Sequence, residues 1–124
     1  MQTIQQQRAA FALDRIQSAA HNHSINKSEY KSYASALPAM IHINGLGQAA
    51  AFYKSKGGTH ELLYALLSDW LTQEPSQPYT NTEENDLIAS IVGSDMHQYR
   101  LAQAEAQALM DWVKKFAKAY MAED

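Results

Sequence analysis

Between residues 41 and 58 the chain reads IHINGLGQAAAFYKSKGG. Gly45-x-Gly47-x-x-Ala50 has the spacing of a dinucleotide-binding turn, in which glycines let the backbone approach a pyrophosphate at a helix N-terminus. That chemistry needs a strand before the turn, a second strand after the helix, and an acid about 20 residues on for the ribose hydroxyl. Asp69 is the acid nearest that distance, and it falls inside the Leu/Trp-rich run ELLYALLSDWL. No other segment offers a β-branched run bounded by turn residues to pair with IHI, so a dinucleotide site lacks its scaffold. A glycine without a Cβ has a simpler use between helices, where it lets a backbone or a bulky side chain come close. Asn44-Gly45-Leu46-Gly47 is then expected to be a packing notch.

Other reactive types are equally without partners. His21-x-His23 sits in a polar loop with no carboxylate placed to complete a metal site, and no H-E-x-x-H is present. His42 and His60 have no acid or nucleophile at helical spacing, and His97 is expected to be solvated or to pack. Glu83 and Glu84 fall in an acidic first turn that the helix dipole explains. There is neither a G-x-S-x-G elbow nor a Walker loop. With no cysteine in its 124 residues, the chain has no disulfide, thiolate metal site or cysteine nucleophile. We therefore expect no catalytic residue, no cofactor, no metal and no small-molecule substrate.

Charge is distributed unevenly behind a net value of −3. Residues 1–60 carry six Lys/Arg against two Asp/Glu, residues 61–95 none against seven, and residues 96–124 four of each. Such asymmetry fits one surface that faces an anion and another that meets a basic partner or solvent. The basic candidates for a binding face are Arg8, Arg15, Lys54, Lys56, Arg100, Lys114, Lys115 and Lys118.

The elements that position these residues follow from periodicity. Ala9, Ala12, Leu13, Ile16, Ala19 and Ala20 form a helical stripe, with Ile4, Arg8, Phe11 and Arg15 as a second, outward row able to meet a partner. After a Ser or Asn cap in HNHSINKSEY, Tyr30, Tyr33, Ala34 and Leu37 resume the period, and Pro38 is expected to end or kink that helix near Ala36. Pro38 would then open a new helix carrying Met40, Ile41, Asn44, Gln48 and Phe52. Gly57-Gly58 separates it from a helix with Leu62, Leu63, Leu66, Leu67, Trp70 and Leu71 on a wide apolar face. Past the Pro/Ser-rich segment 72–82, Thr82 or Asn81 caps a short helix with Leu87, Ile88 and Ile91 inside. The last helix, Asp95 to about Met121, has its stripe at Tyr99, Ala102, Ala106, Leu109, Met110, Val113, Phe116, Ala117 and Tyr120. Arg100, Asp111, Lys114 and Lys118 share one of its faces. The expectation is all-α: a single compact bundle of about six helices over 1–124, without a sheet. No run approaches the ~20 apolar residues of a membrane span, and the N-terminus lacks a secretory apolar run, so a cytoplasmic protein with no membrane partner is expected.

Four segments taken together resemble a known family: RAAFA at 8–12, YKSYASALPAMIHINGLGQAAAFYKSK at 30–56, YALLSDWL at 64–71 and YRLAQAEAQALMDWVKKFAKA at 99–119. They are similar to the small subunit of type III-B CRISPR RNA-guided effectors, the fifth protein of the Cmr complex. The chain departs from that pattern at Ala49-Ala50, where Thr-Leu is expected, and at Gln103, where Thr is usual. The resemblance implies a non-catalytic helical subunit, stacked in several copies along the effector beside the backbone subunits and the large polymerase-cyclase-like subunit. It also implies contact with CRISPR RNA and target RNA, for which the eight basic candidates supply sequence-independent phosphate ligands. The competing expectation is a helical adaptor that joins proteins in an assembly without touching RNA.

Overall fold

Six helices, and no strand, make up the described part of the computed structural model, which covers residues 2–74, 77–80 and 85–121. They are α1 (Ile4–Ala20), α2 (Lys27–Asn44), α3 (Leu46–Lys56), α4 (Gly58–Gln73), α5 (Leu87–Gly93) and α6 (Met96–Tyr120). Local chemistry sets most of the starts. Thr3 and Gln6 form a reciprocal capping box at α1, with backbone-to-side-chain bonds of 3.1 and 2.8 Å. Asn26 caps α2 through the Glu29 N–H at 3.1 Å, and Asp95 caps α6 through the Gln98 N–H at 2.8 Å. The short helix begins at Leu87 with Asp86 as its cap; Asn81, Thr82, Glu83 and Glu84, on which the expected cap and acidic first turn fell, lie outside the described residues.

α6 is the spine of the molecule, with its most extensive contacts to α1 and α2. Ala102, Ala106, Leu109, Met110, Val113 and Ala117 are buried along it, as the stripe predicts. Tyr120 departs from the stripe and is 50% exposed, although Ala117 before it and Met121 after it are buried. All six helices contribute to one buried cluster, in which Tyr53, Leu63, Leu67, Leu71 and Leu87 are at or near zero exposure.

Two expectations about α2 and α3 are corrected. Pro38 neither ends α2 nor starts a helix: α2 continues through it to Asn44. A proline inside a helix removes one backbone bond and crowds the preceding turn, a cost of about 3 kcal/mol. Here Leu37, Pro38 and Ile41 are all buried, and the Gln107 amide of α6 donates to the Pro38 carbonyl at 2.8 Å. Tertiary burial of that turn offsets the local penalty. The helix breaks seven residues later, at Gly45, whose φ of 88° lies where side chains are strained.

The second row of α1 is also not a free surface. Phe11 packs on the Trp70 ring with centroids 4.9 Å apart, and Arg8 and Arg15 reach Glu105 and Asp69 on α6 and α4. The row's lower part is engaged because α4 supplies Trp70 and Asp69 and α6 supplies Glu105, while Ile4 stays 40% exposed.

Candidate nucleic-acid interface

The glycine segment joins α2, α3 and α6. Gly45 is the N-cap of α3 and has no side chain to cap with, so the first N–H groups of α3 need other acceptors. α6 provides them: Gln103 Oε1 accepts from the Leu46 N–H at 2.9 Å, and the Tyr99 hydroxyl accepts from the Gly47 N–H at 2.9 Å. A Cβ on Gly45 would stand 3.2 Å from the Tyr99 oxygen, and one on Gly47 3.5 Å from it. The glycines thus make the packing notch that the sequence implies, and what enters it is a tyrosine. Gln103, one of the departures from the family pattern, acts here as a helix cap supplied from another helix.

The eight basic candidates separate into three groups. Arg8 is a structural cation: its guanidinium donates to both oxygens of Glu105, from Nε and, at 2.9 Å, from Nη2. Trp70 Nε1 donates to the same carboxylate at 3.0 Å, and the Arg8 and Glu105 side chains are only 18% and 12% exposed. The bond to Glu105 raises the Arg8 pKa above the ordinary guanidinium value, against the desolvation that lowers it.

Arg15, Lys54 and Lys56 are shared between internal contacts and solvent. Arg15 pairs with Asp69 at 2.8 Å and lies over the Phe11 ring. Lys54 sits 3.5 Å from Glu61 and over the Tyr64 ring, and Lys56 over the ring of Phe52. The Lys54–Glu61 pair is half exposed on both sides and is worth little to stability.

Arg100, Lys114, Lys115 and Lys118 form the third group, all on α6. Among the described residues no carboxylate comes within ion-pair reach of any of them. Arg100 borders a shallow groove with Tyr99, Gln103, Ala104 and Gln107. Three lysines in the last two turns also complement the negative end of the helix dipole.

Among the described residues no group of three or more His, Cys, Asp or Glu could hold an ion. His60 has a packing role that the sequence did not reveal, stacked on Tyr33 at 3.7 Å and set edge-on to Tyr53 at 4.9 Å. The Tyr53 hydroxyl donates to the Tyr33 carbonyl at 2.7 Å, which ties α3 to α2. Beside this junction, α4 holds the start of α5. The Tyr64 hydroxyl donates to Asp86 at 2.7 Å while accepting from the Ile88 N–H, and Ser68 Oγ accepts from the Leu87 N–H. Asp69, the acid nearest ribose-binding distance in sequence, belongs to α4 and serves Arg15. Among the described residues no helix is long and apolar enough to cross a membrane.

Fold and site together define a helical bundle whose glycine turn is spent on internal packing. The model of the CRISPR-associated Cmr5 family matches residues 4–120, and the chain belongs to that family. A curated relative from Thermus thermophilus, described as CRISPR system Cmr subunit Cmr5, is 29% identical over 123 residues, covering 99% of this chain and all of its own length. The crystal structure of a CRISPR-associated Cmr5 family protein from the same organism superposes with a TM-score of 0.80. It is 26% identical and covers 98% of this chain and 100% of its own. The resemblance carried by the four sequence segments, to the small subunit of type III-B effectors, is thereby established.

Proposed function

We propose that this chain is a non-catalytic structural subunit of a type III-B CRISPR RNA-guided effector in the cytoplasm, stacked in several copies beside the other Cmr subunits. It contacts the guide and target RNA backbone through lysine and arginine. The end-to-end match to the Cmr5 family supports membership of the complex. The observation that carries the RNA contact is the set of four α6 cations, Arg100, Lys114, Lys115 and Lys118, without an internal counter-charge among the described residues. Lys54 and Lys56, exposed at the end of α3, are the second contact region, and Arg15 contributes only its solvent-facing edge. Arg8 is committed to Glu105 and takes the scaffolding role. Phosphate ligation by such side chains is independent of sequence, as a guide-programmed assembly requires. Stacking of copies is favoured by complementary basic and acidic regions on one chain, the condition for a heterologous head-to-tail contact.

A second reading, an adaptor that joins proteins without touching RNA, is favoured by the large exposed apolar side chains Ile43, Val92 and Met96. The two readings separate on co-purification and RNA crosslinking. The complex should retain this subunit in more than one copy by native mass spectrometry, with ultraviolet crosslinks from target RNA to α6 peptides. Retention with no crosslink to any peptide of this chain selects the adaptor. Failure to co-purify with the other Cmr subunits removes both readings.

A further inference from the structure

We propose that the last two turns of α6 form a stacking platform for unpaired bases of single-stranded RNA, beyond the phosphate contact made by the lysines. The platform is Trp112, Phe116 and Tyr120, spaced four residues apart and therefore aligned along one side of the helix, about 6 Å per step. Their rings already form a row: centroids are 5.4 Å apart between Trp112 and Phe116, tilted by 31°, and 6.1 Å between Phe116 and Tyr120. Trp112 and Phe116 lean on the core with part of each ring open, and Tyr120 is half exposed.

Beside this row, Lys115 lies three residues from Trp112, and Lys114 and Lys118 extend the positive strip around the helix. Aromatic faces that accept any base, next to cations that follow the backbone, are the combination that binds single strands without sequence preference. The aromatic clusters of α1 to α4 lack it. Phe11 and Trp70 are consumed by each other, Tyr33, Tyr53 and His60 lock a helix junction, and Lys56 covers its own neighbour Phe52. An acidic peptide would satisfy the lysines and leave the row of rings without a counterpart, whereas a single strand satisfies both. The inference rests on the RNA-contacting reading above.

The test uses the full chain and an unstructured oligouridine, followed by tryptophan fluorescence at several salt concentrations. Trp70 is 2% exposed, so quenching on binding reports Trp112. Phe116→Leu and Tyr120→Leu keep an apolar side chain and remove a stacking face, and each should weaken binding by about 5- to 150-fold with the log–log salt slope unchanged. Tyr120→Phe should restore wild-type affinity. Lys115→Gln combined with Lys118→Gln should lower the slope by about 1.4 while leaving the quench at saturation. If the leucine variants bind like wild type while the lysine variant flattens the slope, the platform is wrong and the phosphate reading stands. No change from either set, or no binding by wild type, overturns the platform. So does an equal quench with polyglutamate, or a leucine effect that appears only as a change in salt slope. Tyr120, at the exposed helix end, keeps the test decisive should Phe116→Leu lose helicity.

Discussion

Glu105→Ala is the sharpest test of how the first helix is held. The carboxylate accepts two bonds from Arg8 and one from Trp70 in a site where its side chain is 12% exposed. Removing it leaves a mostly buried guanidinium without its counter-charge and an indole N–H without its acceptor. Breaking a buried pair from one side costs about 3–5 kcal/mol, and the remaining exposure of Arg8 places this case near about 3 kcal/mol. With an unfolding entropy of about 2.1 cal/mol/K per residue over the chain, that loss lowers Tm by roughly 11–12 °C. Glu105→Gln keeps an acceptor for the indole and discards the charge, so it should lose about 1–2 kcal/mol. Urea unfolding followed by circular dichroism at neutral pH measures both. A loss below about 0.5 kcal/mol for Glu105→Ala would mean that Arg8 is solvated and available to a ligand, as its place in the sequence alone suggested, and would refute the structural role.

The notch yields a graded series: Gly45→Ala adds a strained φ and a 3.2 Å contact with the Tyr99 oxygen, and should lose about 2–3 kcal/mol in the same unfolding assay. Gly57→Ala, with φ 66° and open space, should lose about 1–2 kcal/mol, and Gly47→Ala, at ordinary contact distance inside α3, should be neutral within about 0.5 kcal/mol. Gln103→Ala and Tyr99→Phe each strand one N–H at the start of α3 and should cost about 1–3 kcal/mol, with amide exchange at Leu46 and Gly47 accelerating first. Burial pushes Tyr30 and Tyr53 up to about 12, and raises Tyr64 and Tyr79 as well. A raised folded-state pKa contributes stability that is complete below pH 10 and is lost as pH rises toward 12 and beyond. Holding a tyrosine neutral to that extent is worth about 3 kcal/mol, so tyrosinate absorbance and loss of helical dichroism should rise together in one cooperative alkaline step.

The helices were legible wherever burial and period coincide, as on α6, where the alanine, leucine and valine stripe is the buried face. The cap of α2, expected as a Ser or Asn in HNHSINKSEY, was legible because Asn26 acts locally, three residues from its partner; Asp95, expected as the start of the last helix, proves to be its cap. Pro38 misled because its penalty is a property of the isolated helix, while its compensation comes from Gln107, 69 residues away. The supply of α3's caps from Tyr99 and Gln103 is hidden likewise, at separations of 52 and 57 residues. Among the basic candidates, spacing along α1 put Arg8 and Arg15 on a common row but could not say that α4 and α6 bring carboxylates to it. On α6, Asp111 lies three and four residues before Lys114 and Lys115, yet among the described residues no carboxylate forms an ion pair with the α6 lysines.

The central claim, that this subunit touches RNA through the α6 cations, is tested most directly by the salt dependence of target RNA binding to the assembled effector. The effector would carry either the wild-type chain or one with Lys114→Glu, Lys115→Glu and Lys118→Glu. If each lysine holds one phosphate of a single strand, the triple variant flattens the log–log slope by about 2 for every copy engaged. An unchanged slope, in a complex that still contains the variant subunit in full, would contradict the claim and leave the chain as a protein adaptor.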